Sequence, residues 1–128
     1  ALVDLNKDGL LDLAVVNRRA PVEVWQNVTA GTGAYLTVDL QQSGTNRDAV
    51  GAWIELDTGT RVIAREITVG GGHAGGSLVP EHFGLGKSQG VKLRVIWPDG
   101  VASDWAYAAT NQNIKVVRNG KLLRIRPE

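Results

Sequence analysis

The sequence contains no cysteine and no methionine, only one phenylalanine and only four prolines. The lack of cysteine excludes disulfides, a thiol nucleophile and a thiolate metal site. No apolar run approaches the length of a membrane-spanning helix, and no signal peptide is visible. The net charge of +1 provides no general attraction to nucleic acid or to an anionic membrane. We therefore expect neither nucleic-acid binding nor membrane insertion.

Short apolar segments rich in valine and isoleucine, separated by glycine-containing connectors, make up most of the chain. In several of them apolar and polar residues alternate, as in Ile54 and Leu56 against Glu55 and Asp57. A period of two is typical of strands with one solvated face. The segments predicted as strands are 10–17, 22–28, 34–40, 50–56, 61–69, 91–97, 114–118 and 121–125. The predicted fold is all-β, an antiparallel β-sandwich or a small barrel.

The connectors between these segments have the composition of turns. Residues 57–60 and 98–100 are predicted to end one strand and begin the next. Asn119-Gly120 predicts a hairpin with a type I′ turn, which needs positive φ at both central positions. A short turn is also expected within residues 103–111. A change of composition at residues 30–33 places a domain boundary there, giving units 1–30 and 31–128. The first unit is predicted to hold a loop and one β-hairpin, formed by segments 10–17 and 22–28.

The segment DLNKDGLLD at residues 4–12 carries oxygen-bearing side chains at alternate positions. Calcium binds six to eight oxygens, and such a loop turns several of them inward. The predicted ligands are two carboxylates and an amide, the backbone carbonyl of Leu10, and a closing carboxylate: Asp4, Asn6, Asp8, Leu10 and Asp12. Gly9 permits the bend. The loop is not an EF-hand, because the twelfth position is Val15 and a strand follows.

DLNKDGLLDLAVVN followed by VEVWQN resembles an FG-GAP (integrin α-type) repeat, a blade unit of calcium-decorated β-propellers. The resemblance implies the same five calcium ligands and a structural ion that neutralises the repulsion among the carboxylates. The alternative is a solvated Asp/Asn turn without an ion. A propeller repeat at the very start of the chain also leads us to expect the carboxyl-terminal part of a larger exported protein.

Residues from about 34 to 120 carry a second set of motifs, in the order Asn46–Ala52, Arg65-Glu66, Gly70–Gly72, His82–Gly86 and Trp97–Gly100. In order and spacing they resemble the ASPIC/UnbV domain of bacterial FG-GAP proteins and of the cartilage acidic protein family. The resemblance implies an all-β module with no established catalytic activity, located outside the cell, in the periplasm or at the cell surface. Where the family commonly has an aromatic residue and a serine, this chain has residues 73–77, HAGGS.

We interpret the motif residues of this second unit as structural. Phe83 and Trp97 are predicted to anchor the core, and Arg47 and Asp48 to pair with neighbours across a loop. Glycines are predicted where close packing or an unusual φ is needed. The full set is Asn46, Arg47, Asp48, Gly51, Phe83, Gly84, Gly86, Trp97, Asp99 and Gly100.

Two catalytic interpretations fail on the sequence. Gly86-Lys87-Ser88 resembles the end of a phosphate-binding loop, but the required first glycine is Glu81 and a strand follows. His73, His82, Asp48 and Ser77 do not form a hydrolase signature, because no nucleophile elbow surrounds the serine. We therefore expect no enzyme activity, with a hydrolase accessory or catalytic domain as a lesser alternative.

The resulting functional prediction is a non-catalytic, calcium-binding extracellular module that contacts an unknown protein or carbohydrate. The alternative is a carbohydrate-binding module in which Trp25, Trp53 and Trp105 present flat faces to sugars, although Trp53 is expected to be buried within its alternating strand. A row of solvent-facing aromatic side chains favours sugar binding, and an exposed sheet edge favours protein contact. Such an edge also allows a homo-oligomer.

Overall fold

The computed structural model describes residues 1–71, 75–120 and 122–125, the last four by their backbone alone. These residues form strands and no helix, which confirms the predicted all-β class. The strands are β1 (Leu2–Val3), β2 (Asp12–Val15), β3 (Glu23–Trp25), β4 (Ala34–Gln41), β5 (Trp53–Asp57), β6 (Val62–Glu66), β7 (Glu81–Gly86), β8 (Gly90–Ile96), β9 (Ala106–Ala109), β10 (Gln112–Val117) and β11 (Leu122–Ile125).

The strands are arranged in three sheets. A small antiparallel sheet has the order β1-β2-β3, and two four-stranded sheets have the orders β11-β10-β4-β7 and β6-β5-β8-β9. The predicted pairing of the segments on either side of residues 18–21 is confirmed, with Leu13 opposite Trp25 and Val15 opposite Glu23.

One hydrophobic core lies between the two four-stranded sheets, as in a β-sandwich. Alternate residues of β4 and β7 enter it from one side, for example Leu36, Val38 and Phe83. Alternate residues of β5 and β8 enter it from the other, for example Ile54 and Leu93. Because successive side chains of a strand point to opposite faces, the intervening polar residues form the outer faces of the sandwich.

Two features of the sandwich differ from the predicted strand pattern. Strand β10 pairs with β4 in parallel, with Gln112 opposite Leu36, so this sheet is mixed rather than purely antiparallel. Strands β7 and β9 lie in segments that were not predicted as strands. The alternation in β7 is hidden by Gly84 and Gly86, and β9 is largely alanine, so the pairing partners rather than the side chains establish these strands.

The predicted turns are present, one of them with a different geometry. Thr58 donates to the carbonyl of Arg61, and Gly100 donates to that of Trp97. The hairpin between β10 and β11 forms, but its turn is not type I′. Asn119 has a positive φ of 61°, Gly120 does not, and Gly120 donates to the carbonyl of Val117. The tight turn is therefore shifted by one residue toward the amino terminus.

The loop between β1 and β2 contacts the outer face of β4 and β7. The ring of His82, on β7, bonds through Nε2 to the carbonyl oxygen of Gly9 at 2.8 Å.

In the part of the chain that the structure describes, no helix has the length and apolar character needed to cross a membrane.

Candidate functional site

The loop between β1 and β2 is closed by its own acidic and amide side chains. The carboxylate of Asp4 accepts from the backbone N–H groups of Asp8 (3.1 Å) and Gly9 (2.8 Å). The carboxylate of Asp8 accepts from the amide of Asn6 (2.8 Å) and from the N–H of Leu10 (2.8 Å). The side chains of Asp4, Asn6 and Asp8, three of the five predicted calcium ligands, and the N–H of Leu10 thus take part in one compact turn.

The fifth, Asp12, is buried at the start of β2, with only 1% of its surface exposed. One of its oxygens accepts from the N–H of Leu5, and the other accepts from the N–H of Asn27, both at 2.8–2.9 Å. Asn27 also donates through its side chain to the carbonyl of Leu11. Asp12 therefore joins the loop to the segment that follows β3, a role that the sequence did not indicate for it.

The donor chemistry of the loop fits calcium, because every predicted ligand offers oxygen and each carboxylate oxygen has a second lone pair beyond its N–H contact. The described residues contain no group of three or more His, Asp or Glu side chains arranged to hold a metal. The oxygen set is a mixed one, of carboxylates, an amide and a carbonyl. The five ligands therefore remain a prediction.

Two aromatic rings hold this loop against the sandwich, a role that the sequence predicted for neither of them. The rings of Tyr35 and His82 stack with centroids 5.7 Å apart and planes 3° from parallel. Gly9 lies under Tyr35 so closely that an added Cβ would meet the ring at 2.2 Å. Because Tyr35 and His82 are on β4 and β7, they become neighbours only through strand pairing.

The pKa of the Tyr35 phenol depends on the charges of the loop. Burial raises its pKa, and the negative charges of Asp4 and Asp8 raise it further. Since the raised pKa belongs to the folded state, the stability that depends on the neutral phenol is present below pH 10 and is lost as the pH rises through the folded pKa.

Replacing Gly9 by alanine should loosen the loop from the sandwich. The residue has φ +91°, and its Cβ would overlap Tyr35, so we expect a loss of about 2 kcal/mol or more from backbone strain and displaced packing. The measurement is chemical denaturation followed by tryptophan fluorescence.

Gly44→Ala is the matched control, because Gly44 has φ +93° and open space around the added methyl group. In this variant the free energy of unfolding should fall only by the contribution of backbone strain. Equal losses in the two variants would contradict the close packing of Gly9 against Tyr35.

The second-unit motif begins with a loop that Asn46 closes. Its amide accepts from the N–H of Val50 and donates to the carbonyl of Val50, both at 2.9 Å. Gly51 has a positive φ of 88° and donates to the carbonyl of Ile67. The side chains of Arg47 and Asp48 are exposed, and neither takes part in an ion pair among the described residues. The predicted pairing of these two residues across a loop stays a prediction.

The remaining motif residues mostly have the predicted structural roles. Phe83 and Trp97 are in the core, with 1% and 5% of their surfaces exposed. Gly86 has φ +59° and is approached by Gly33, whose added Cβ would come within 2.7 Å of the Gly86 backbone. Gly84 has neither positive φ nor a close neighbour, so the prediction is wrong there. His73 lies outside the described residues.

Asp99 and Gly100 form the turn that follows β8. Asp99 accepts from the guanidinium of Arg118 at 2.5 Å and from the N–H of Val101 at 3.2 Å. The guanidinium also lies over the ring of Trp97, 5.4 Å from its centroid. The hydrogen bond from Arg118, and then that from Val101, lower the pKa of the Asp99 carboxyl.

This contact predicts an acid-sensitive contribution to stability. A lowered folded pKa means that the contribution is complete above the unfolded pKa of about 3.9 and is lost as the pH falls through the folded value. Asp99→Asn should therefore lower the melting temperature by a few degrees at pH 7, and this difference from the wild type should shrink as the pH is lowered toward 2.5.

The control is Asp104→Asn, an exposed aspartate nearby that should change neither melting temperature. If Asp99→Asn lowered the melting temperature equally at both pH values, the contribution of Asp99 to stability would not be ionic.

A third feature is a face of exposed aromatic side chains on the sheet β6-β5-β8-β9. Trp53 is 42% exposed, Trp105 is 39% exposed and Tyr107 is 71% exposed. Arg94 lies over the Trp105 ring at 4.6 Å and forms an ion pair with Glu55. The expectation that Trp53 is buried is wrong, because the register of β5 directs Ile54 and Leu56 into the core and Trp53 outward.

Comparison with known proteins was made against this geometry. No curated protein matches the chain. The family model described as ASPIC and UnbV matches residues 42–122, which is well over half of the sequence and includes the Asn46 loop, β7 and the turn after β8. The chain therefore belongs to the ASPIC and UnbV family.

Proposed function

We propose that this chain is a non-catalytic, calcium-binding interaction module of an extracellular protein. The observation that carries the proposal is the self-closed loop in which Asp4, Asn6 and Asp8 contact one another and the backbone. ASPIC and UnbV domains are found in extracellular proteins, where millimolar calcium sites are common.

The oxygen-bearing residues of the loop support a structural calcium site. Asp4, Asn6, Asp8 and Asp12 would provide side-chain oxygens, and Leu10 its carbonyl. Calcium bound there would neutralise the three carboxylates. The loop is already bent by Lys7 (φ 61°) and Gly9, so little ordering entropy remains to be lost on binding. Its likeness to an FG-GAP repeat supports the same ligands.

The environment of His82 supports a non-catalytic role. Its Nε2 is engaged by the Gly9 carbonyl, and its ring is stacked on Tyr35. Ser77 is exposed and contributes its backbone N–H to the carbonyl of Val69. These residues serve packing and sheet pairing, whereas a general base needs a ring nitrogen directed at a nucleophile.

Calorimetric titration with calcium tests the proposal. We expect one site per chain, with a dissociation constant of about 0.1–1 mM, which is typical of extracellular modules. Asp8→Ala should abolish the binding heat, and Asp104→Ala, an exposed aspartate outside the loop, should leave it unchanged. Absence of heat with the wild-type chain at millimolar calcium would refute the calcium-binding part of the proposal.

A carbohydrate ligand is the second candidate, and the exposed aromatic face favours it. Trp53 on β5 lies opposite Ile96 of β8 and Tyr107 on β9 lies opposite Lys92 of β8, both on the outer face of the sheet, and Trp105 lies beside Arg94. Aromatic rings supply apolar surfaces for sugar rings, and the charged groups between them supply hydrogen bonds. Exposed aromatic side chains spread over a twisted sheet favour an extended sugar chain over a single sugar unit.

Tryptophan-fluorescence titration with neutral and uronate hexasaccharides tests this candidate. Trp53→Ala and Trp105→Ala should each weaken binding about tenfold or more, equivalent to about 1.4 kcal/mol. Trp25→Ala is the control, because Trp25 is 60% exposed but lies on β3 of the small sheet. Saturable binding that Trp25→Ala reduced as strongly would place the sugar elsewhere.

An exposed sheet edge favours protein contact as well. Strand β3 forms one edge of the small sheet, and Val22, Val24 and Trp25 at or beside it are each about 60% exposed. Apolar edge strands pair readily with another strand. We propose β3 as the edge for a protein partner or a second copy of the chain.

A further inference from the structure

The direction of the backbone groups in the small sheet follows from the pairing of β1 with β2. The amino group of Ala1 donates to the carbonyl of Ala14 at 2.7 Å, and the N–H of Ala14 donates to the carbonyl of Ala1 at 2.9 Å. Both backbone groups of Ala14 therefore face β1. Because successive residues of a strand direct these groups to alternate sides, those of Leu13 face β3, where the register partner is Trp25.

The same alternation directs the backbone of Val24, the central residue of β3, away from β2. Asn27 lies two positions after Trp25, and its N–H points back to the β2 side, where it donates to Asp12 at 2.8 Å. Among the described residues, no strand pairs with β3 on the side away from β2, which we call the open edge. Val24 therefore presents one N–H donor and one carbonyl acceptor to the open edge.

The open edge has few of the features by which proteins prevent strand pairing, such as lysine side chains or proline. Val22 and Val24 are 60% and 62% exposed, and Trp25 is 60% exposed. The one charged residue of the strand is Glu23, whose carboxylate accepts from the indole N–H of Trp25 at 3.0 Å. Pro21 precedes the strand at a position whose N–H would face β2, so it removes no donor from the open edge.

The residues of β3 are self-complementary in one antiparallel register. A pair of β3 strands centred on Val24 sets Val24 opposite Val24 of the second copy, and Glu23 opposite the second copy's Trp25. All three residues of the strand are then paired, and no carboxylate lies directly opposite another. A pair centred on Glu23 sets two carboxylates opposite each other, which is unfavourable. A pair centred on Trp25 sets Glu23 opposite a residue outside the strand.

We propose that β3 pairs with β3 of a second copy of the chain about a two-fold axis at Val24. The two Val24 residues exchange their N–H and carbonyl groups, and the two small sheets become one antiparallel sheet of six strands. Val24 is the register partner of Ala14, so an apolar row of side chains continues across the axis. This inference rests on the interaction role proposed above for β3, and it names the partner.

Sedimentation equilibrium of the complete chain, from micromolar to millimolar concentration, tests the proposal. The mass should rise from 13.7 kDa toward twice that value. Val24→Lys and Val24→Glu should each weaken dimerisation about tenfold or more, because like charges then meet at the axis. An equimolar mixture of the two variants should restore it, because unlike charges meet there. Val101→Lys, in an exposed turn and 55% exposed, should dimerise as the wild type does.

A cysteine at the axis tests the register independently. The chain has no cysteine, so Val24→Cys introduces a single thiol. Opposite Cα atoms of a hydrogen-bonded antiparallel pair are about 5.5 Å apart, a distance that a disulfide spans. Val24→Cys should therefore form a covalent dimer in a glutathione buffer. Val22→Cys, with nearly the same exposure, lies opposite Gln26 of the second copy and should remain largely monomeric.

Three results would overturn the proposal. A wild-type chain that stayed monomeric at millimolar concentration would exclude the second copy as the partner, whereas β3 could still bind a different protein. A dimer that Val24→Lys did not weaken would lie away from β3, and the interaction role of this edge would fail with it. Equal cross-linking of Val22→Cys and Val24→Cys would exclude the axis at Val24. The calcium titration decides the calcium-binding role separately.

Discussion

Calcium should raise the melting temperature of the wild-type chain by roughly 10 °C at a hundredfold excess over the dissociation constant. At that concentration, an ion that binds only the folded state adds about 2.7 kcal/mol to the free energy of unfolding. For a domain of this size each kcal/mol corresponds to several degrees. The expected physical origin is the neutralisation of the loop carboxylates Asp4, Asp8 and Asp12 by the bound ion. The measurement is a melt in calcium and in chelator.

Asp8→Ala and Asp104→Ala distinguish a site in this loop from a general salt effect. Asp8 bonds to Asn6 and to the N–H of Leu10, so its loss removes one ligand and part of the loop closure. We expect no calcium-dependent rise in Asp8→Ala and the full rise in Asp104→Ala. A rise of equal size in both variants would mean that calcium acts elsewhere on the chain.

Phe83→Ala should destabilise the chain by about 3–5 kcal/mol and lower its melting temperature by roughly 15 °C. Phe83 is the only phenylalanine, has 1% of its surface exposed, and packs in the core between the two four-stranded sheets. Removing its ring leaves a cavity that the facing strands can only partly close. The measurement is denaturant unfolding with a constant m-value as the criterion for a comparable transition.

Tyr107→Ala is the control for Phe83→Ala, because Tyr107 is also an aromatic residue on a strand but is 71% exposed. This substitution should lower the free energy of unfolding by no more than about 1 kcal/mol. If Phe83→Ala retained wild-type stability, the His82–Gly86 motif would serve a ligand rather than the core, and its structural interpretation would be wrong.

Local patterns were sufficient to predict the class of fold. The alternation in residues 54–57 predicts a strand with one buried face, and Ile54 and Leu56 are indeed fully buried. Turns at residues 57–60 and 98–100 were predicted because glycine and proline act through the backbone of their own segment. The core roles of Phe83 and Trp97 followed from their size and apolar character.

Patterns within one segment failed where partners distant in the sequence determine the outcome. Strand β7 depends on its pairing with β4, which compensates for two glycines that carry no strand preference. The parallel pairing of β4 with β10 joins residues separated by more than seventy positions. The outward position of Trp53 depends on the register of a whole strand, because a shift of one residue reverses every side chain.

The same division applies to the candidate sites. The sequence by itself determined the oxygen-rich composition of residues 4–12 and the membership of residues 42–122 in a family, since both depend on residue types and spacing. Only the tertiary structure placed Tyr35 and His82 against Gly9 and brought Asp12 to Asn27. Those contacts join different strands, and the free energy of burying them together is a property of the whole fold.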